Sequence, residues 1–308
     1  MQKMAVNLED RIIAHIQHTG PLTGSELRAS FNEESLILWQ TCLRSPKLVT
    51  TRIGTRYLRL DSRVDGFARL SPSILREFLS YSVIGLIAHP HPVSQKVSEV
   101  TAHIERVSKR KFDLAYSIVS NLRRQLCGIW KDNLQICFII AGDIVYNMAH
   151  NVPRPERSTG ELVKGSDMDL VVVLEDSASD DVIKSLDEAI YSEKYRVLTS
   201  PALREEIDYV VKRMSRVREQ LQFDTFKRMI ACKILEEGRL LYGSENLFFD
   251  IKTLLNTHWI TAKLAELEQK AQNFRKNAEE YLLDADPEKA KKESLYLFYP
   301  SEESEEFE

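Results

Sequence analysis

The sequence predicts an α+β fold, and three observations predict it. A run of helix-spaced segments closing on an alternating stretch occupies roughly residues 6–60. Valine- and isoleucine-rich runs flank a helical segment between about residues 134 and 213. Amphipathic helical patterns fill the rest, over about 66–130 and 256–286.

The first run divides cleanly. LEDRIIAHIQHTG sets Leu8, Ile12, Ile13 and Ile16 at helix spacing, and Gly20-Pro21 stops it. LTGSELRASF offers Thr23 with Glu26 three residues on, the spacing of a capping box. ESLILWQTCLRSPKLV reads as a third helix, and TTRIGTRYLRL alternates around Ile53-Gly54 as a short hairpin would. Three helices and a hairpin in this order predict a winged helix-turn-helix over residues 1–65. Arg44, Lys47, Arg52, Arg56 and Arg59 lie on the third helix and wing with no acid between them. They read equally as a nucleic-acid face that neutralises phosphates or as the solvated basic face of an interaction or dimerisation module.

Residues 66–111 predict a helical connector, with Ser71-Pro72 as cap and first turn of SPSILREFLSYSVIGLIAH. HPHPV breaks that pattern, and helical spacing resumes from Ser94 to about Trp130. In residues 256–286, Leu264, Leu267, Ala271, Phe274, Ala278 and Leu282 form one helical stripe. Residues 287–308 end in SEESEEFE and predict an acidic, disordered tail. Hydrophobic residues make 43% of the chain, enough for a real core. The net charge of −4 means that any nucleic-acid affinity must be local. Cys42, Cys127, Cys137 and Cys232 are scattered without metal spacing and read as reduced core thiols. The N-terminal MQKMAVNLEDRI has no apolar signal core, and no window approaches a membrane span, so a cytoplasmic location is expected.

The chemistry centres on GSDMDLVVVLED, residues 165–176. MDLVVVLE reads as a strand, so Asp167 and Asp169 project from one face. Carboxylates that close repel unless a cation bridges them, and Mg²⁺ suits an all-oxygen donor set. Taken alone, the pair reads as well as two solvated aspartates. Its context is richer. LQICFIIAGDIVYNMAH predicts a strand, then Gly142, then a helix opening at Asp143, and a glycine there lets phosphate approach backbone N–H groups. DSASDDVIKSLDEAIYSEKY predicts a helix, and REEIDYVVKR a further strand with Asp208 between Ile207 and Tyr209. Glu206 shares a face with Asp208 and competes for its role.

With Gly142, then Asp167 and Asp169, then Asp208, the chain resembles the DNA polymerase β-type nucleotidyltransferase superfamily. STGELVKGSDMDL, through Gly160, Glu161, Leu162 and Ser166, also looks like the G-E-L…S-D-x-D-L stretch of the uridylyl-transferring branch. ACKILEEGRLLYGS, residues 231–244, resembles the helix and turn after the core of small and antibiotic-modifying members. The resemblance covers about residues 112–255. It implies a nucleotidyltransferase αβ core with a mixed sheet, followed by C-terminal helices. It also implies transfer of a nucleoside monophosphate from an NTP to an acceptor hydroxyl, with Mg²⁺, or Mn²⁺ in its place, as cofactor. Asp167, Asp169 and Asp208 would be the metal-binding and catalytic acids, with Asp208 also able to act as base. Gly142, Asp143, Gly165, Ser166 and Lys212 would line the nucleotide, with Lys227 and Lys233 as further triphosphate contacts.

Two departures accompany the resemblance. Asp143 stands where members usually carry serine, which leaves Asp143 as a helix cap and passes the phosphate role to Ser158, Thr159 or Lys164. The interval from Gly142 to Asp167 is also longer than usual. Its NVPRPERSTG reads as a flexible loop whose Arg154 and Arg157 either meet phosphate or stay solvated. The implied partners are an NTP and an acceptor: RNA such as a tRNA end, a protein, or a small molecule. The winged unit adds RNA or DNA binding, and a homodimer or partner protein fits as well. The alternative is a winged-helix DNA-binding regulator or toxin–antitoxin component whose nucleotidyltransferase fold is inactive and only senses nucleotide.

Overall fold

The local signals near the N-terminus form the helices they predict. Helix α1 (Leu8–Thr19) buries Ile12 and Ile16. A two-residue strand, β1 (Leu22–Thr23), leads into α2 (Gly24–Ser30), where Thr23 and Glu26 complete the capping box. Helix α3 (Ser35–Arg44) buries Leu36, Leu38, Trp39 and Cys42. The computed structural model describes residues 7–126, 128, 134–156 and 159–299. Cys127, Trp130, Arg157, Ser158 and the tail from 300 onward lie outside the described residues.

The hairpin predicted around Ile53-Gly54 is not formed. Strand β2 (Leu48–Arg52) and strand β3 (Tyr57–Leu60) do not pair with each other; β3 pairs with β4 (Ala68–Ser71). After α4 (Ile74–Ser80), β5 (Ser82–Leu86) takes β2 as its antiparallel partner, with Thr50 opposite Ile84. Strand β5 also pairs with β1, giving a three-stranded sheet of order β1-β5-β2. The predicted helical connector over 66–111 is therefore corrected to strand, helix, strand, helix. SVIGL is buried throughout, and a short run buried on both sides carries no period that separates strand from helix. Helix α5 (Pro90–Gln125) follows, with Pro90 and Pro92 in its first turn, where no intrahelical N–H is lost.

The second half builds a four-stranded mixed sheet. Its elements are β6 (Ile136–Ala141), β7 (Pro153–Pro155), β8 (Leu162–Lys164), β9 (Met168–Leu174), α6 (Asp180–Thr199), β10 (Ile207–Arg213), α7 (Met214–Gln220), α8 (Phe226–Glu237), β11 (Arg239–Gly243), α9 (Glu245–Thr257) and α10 (Ile260–Asp284). The sheet order is β10-β9-β6-β11. Strands β9 and β10 run parallel and the other neighbours antiparallel, with α6 as the connection between the parallel pair. Strand β9 is interior and buried on both faces, which explains its unbroken apolar run from Leu170 to Leu174. Two expectations are corrected here. Gly142 opens only a single 3₁₀ turn, Gly142–Ile144, and no helix starts at Asp143. The predicted flexible loop, residues 151–160, instead contains β7, which pairs antiparallel with β8 just beyond the loop.

The chain divides into two compact units, one of residues 1–59, 69–103 and 270–308 and one of residues 60–68 and 104–269. The second unit packs Ile118 and Leu122 of α5, Phe138 and Ile140 of β6, Leu170 and Val172 of β9, and Leu186 and Ile190 of α6 into one core. The first unit packs Ile12, Leu27, Leu38, Trp39, Phe78 and Ile84 against Leu282 of α10. Residues after Pro287 form α11 (Pro287–Glu293) and α12 (Leu295–Phe298), so the tail predicted as disordered is ordered up to residue 299. Phe298 explains why: it is 1% exposed and lies edge-on to Trp39, an apolar contact that acidic composition does not reveal.

The basic cluster of the first unit is only partly a surface. Arg56 donates to both carboxylate oxygens of Glu77, at 2.7 and 2.6 Å, and to Glu279 at 2.6 Å. Arg275 completes the network, 2.7 Å from Glu279 and 3.3 Å from Glu77. Arg56 is therefore corrected from a phosphate-facing residue to a structural one. Arg44, Lys47, Arg52 and Arg59 remain exposed. Arg44 donates to the Leu283 carbonyl, and Lys47 lies 4.0 Å from Asp10. Removing one partner of an enclosed ion network strands the opposite charge. Arg56→Ala should accordingly lower stability by roughly 2–4 kcal/mol in a denaturant titration, and Arg52→Ala by less than about 0.5 kcal/mol.

Candidate active site

Strand register brings the three aspartates together. Asp169 is the second residue of β9 and lies opposite Asp208 of β10 in the parallel ladder. Asp167 precedes Asp169 by two residues and shares its face. Oxygens of Asp167, Asp169 and Asp208 all lie within 4.8 Å of one another, a grouping that could hold a metal ion. Asp169 is also opposite Ala141, the last residue of β6, so the Gly142 turn abuts it. Gly142 has φ +71°, and a Cβ there would sit 2.2 Å from Asp169 Oδ2. Glycine is required by both the backbone and the carboxylate.

The acids repel one another. Burial first, then Asp167, Asp143, Asp208 and Glu237, push the Asp169 carboxyl well above the usual carboxylate range. Protein cations offset part of the charge. Lys194 of α6 donates to Asp208 at 3.0 Å. Arg154 of β7 lies 2.8 Å from Glu206 and 3.8 Å from Asp167. Lys233 of α8 pairs with Glu237 at 2.5 Å, and Glu237 accepts from the Gly142 N–H at 3.2 Å.

Side-chain alternation separates Glu206 from its neighbour. Glu205 pairs with Lys111, which is fully buried and donates to the Lys164 carbonyl at 2.7 Å. Glu206 faces Arg154. Burial raises the Glu206 carboxyl, Arg154 opposes that rise, and Asp167 and Asp208 add to it. Of the two competing acids, Asp208 and not Glu206 belongs to the triad that could hold a metal.

The remaining predicted residues fall into four groups. Asp143, Ser166 and Gly165 brace the site. Ser166 donates to Asp143 Oδ2 at 2.6 Å and accepts from the His150 N–H at 3.1 Å. Asp143 therefore ties the turn to the residue before the acid pair, and with no helix beyond the turn it is not a helix cap. Gly165, at φ +63°, presents its carbonyl to Arg154 Nε at 2.8 Å. Lys212 is not brought to the acids. It lies four residues along β10 from Asp208, roughly 13 Å, and donates to Gln220 at 2.8 Å. Burial pushes its ammonium down to about 8. The two described stand-ins for the missing serine are engaged elsewhere: Thr159 donates to Glu156 and Lys164 to the Ala202 carbonyl. Lys227 is exposed on α8.

Glu237 and Lys194 were not legible as site residues. Both lie on helices among many charged neighbours, and only the fold sets them beside the strands.

No protein-family model matches the chain, and no curated protein matches it. Two solved structures are similar over 98% of their own length and 55% of this chain. One is a toxin–antitoxin crystal structure with AMP-PNP, at 15% identity and a TM-score of 0.25. The other is a mutant of the toxin–antitoxin MntA-HpeT, at 14% identity and a TM-score of 0.24. A likeness that weak fixes neither fold nor activity for this chain.

The raised Asp169 carboxyl has a stability consequence. The folded protein holds that proton more tightly than the unfolded chain does, so stability falls as pH rises from the ordinary carboxylate value through the folded one. In chelator at pH 7, Asp169→Asn should melt at least about 2 °C above wild type. The gap should close as pH falls towards the ordinary carboxylate value. Mg²⁺ should raise the melting temperature of wild type and leave Asp169→Asn unmoved.

Proposed function

We propose that the second unit is a metal-dependent nucleotidyltransferase that moves a nucleoside monophosphate from an NTP to an acceptor hydroxyl. The observation that carries this reading is the convergence of Asp167, Asp169 and Asp208 within 4.8 Å, beside a glycine turn that leaves one of them room. The all-carboxylate donor set suits a hard divalent cation such as Mg²⁺ or Mn²⁺, and the raised Asp169 carboxyl marks a site short of positive charge. A divalent ion held there supplies charge neutralisation on the phosphates and a lowered pKa at the acceptor hydroxyl.

This chain's residues divide the remaining work. Asp167 and Asp169 hold the cation from one strand face. Asp208 is 54% exposed, the most open of the three, and accepts the acceptor's proton on leaving Lys194. The acceptor oxygen bonds to the α-phosphorus, the bond to the bridging oxygen breaks, and pyrophosphate departs with that electron pair. Gly142, Asp143, Gly165 and Ser166 shape the nucleotide side of the site.

The first unit supports a winged helix-turn-helix reading with its wing redrawn. Helices α1, α2 and α3 precede an antiparallel pair, β2 with β5, and residues 53–81 join those strands. Arg44, Lys47, Arg52 and Arg59 then favour a nucleic-acid acceptor over a small molecule.

Incubation with each labelled NTP, Mg²⁺ and total RNA or lysate should transfer label to one acceptor class. Asp167→Ala and Asp169→Ala should abolish transfer, and Asp208→Asn should reduce it by roughly a hundredfold or more. Glu206→Gln should cost less than Asp208→Asn. Undiminished transfer in both alanine variants overturns the assignment.

For the first unit, a salt titration of RNA and DNA binding is the measurement. Arg52→Ala should flatten the log–log salt slope by about 0.7 to 0.9. No binding at low salt would make this unit an interaction module.

A further inference from the structure

Arg154 is a cation set against the acid pair itself, and its surroundings are built for it. Its side chain is 13% exposed. The Nε is held by the Gly165 carbonyl, and Gly165 admits no side chain, since a Cβ would meet the His150 carbonyl oxygen at 2.2 Å. The terminal Nη2 is shared unequally, 2.8 Å from Glu206 and 3.8 Å from Asp167. The contact to Glu206 is a close ion pair, whereas the contact to Asp167 is loose. Arg154 rides on β7, a three-residue strand that pairs, among the described residues, with β8 alone. The main-sheet ladder does not pin it.

A guanidinium in that position and a divalent cation on Asp167 repel each other. Both draw on the same carboxylate, and like charges at a few ångströms interact by several kcal/mol even at a surface-like dielectric. A triphosphate changes the balance. It supplies oxygens that match the planar fork of arginine, so Arg154 can leave Asp167 without losing an anionic partner.

Resting on the proposed reaction, we infer that Arg154 is an exchangeable counter-cation. It neutralises Asp167 and Glu206 while no divalent ion is bound, and it passes to phosphate oxygens when metal and nucleotide enter together. Glu206 is its resting partner, which explains a buried acid beside the triad that does not join it. The two ligands are then positively coupled, and the coupling is reciprocal.

The test is Mn²⁺ binding to the full chain, read by electron paramagnetic resonance of the free ion. It is paired with binding of the Mn²⁺ complex of a non-hydrolysable NTP analogue. R154Q should bind Mn²⁺ alone about tenfold more tightly than wild type and the Mn²⁺–analogue complex about tenfold more weakly. R154K keeps the charge but not the fork, so its Mn²⁺ affinity should stay near wild type while its analogue binding falls. Opposite signs in R154Q distinguish exchange from a structural role, which weakens both, and from simple phosphate contact, which weakens only the analogue. If R154Q does not fold, R154K decides, and equal losses in both measurements overturn the inference. Mn²⁺ binding that R154Q leaves unchanged or weakened overturns exchange alone. No Mn²⁺ binding by wild type or R154Q overturns exchange and the metal reading together.

Discussion

Three carboxylates within 4.8 Å of one another set the terms for the second unit. Their mutual repulsion is unfavourable in the folded state, and the surrounding elements are arranged to limit it. Lys194 faces Asp208 from α6, and Arg154 faces Asp167 from β7. A fourth acid, Glu237, is answered by Lys233 one helical turn away. The first two pairs each join the sheet or the segment entering it to another element, whereas Lys233 and Glu237 share α8, which Glu237 ties to the Gly142 turn by accepting its N–H. The electrostatics of the cluster therefore help to fix where α6, α8 and the β7–β8 ribbon lie.

The backbone carries the same constraint. Gly142 and Gly165 both adopt the left-handed region, and both lack room for a side chain, one against Asp169 and one against His150. Ser166 links the segments they belong to, through Asp143 on one side and His150 on the other. Lys111 and Glu205 form a buried pair just before β10 and so help to hold its register against β9. A one-residue slip of that strand would put Tyr209 where Asp208 stands.

The first unit uses arginine differently. Arg56 and Arg275 share Glu77 and Glu279 in an enclosed network, so two of its guanidiniums brace the fold. Four other cations of the predicted basic cluster stay at the surface. From sequence alone the five looked equivalent, because the acids that claim Arg56 are 21 and 223 residues away.

The sequence by itself determined the features that depend on short spacing. The capping box of α2, the stripe of α10 and the strand that opens beside Asp167 and carries Asp169 follow from periods of 3.6 or 2, whereas the choice of Asp208 over Glu206 came from the register of β10 on β9. Tertiary structure alone decided what depends on distant partners. It paired β2 with β5 rather than β3, because a buried run such as SVIGL carries no period that names its partner. It ordered α12 through Phe298 on Trp39, paired part of a predicted loop with β8, and sent Lys212 to Gln220. It also chose which cations meet the acids, since Coulomb attraction acts through space and chain order says little about which charges become neighbours.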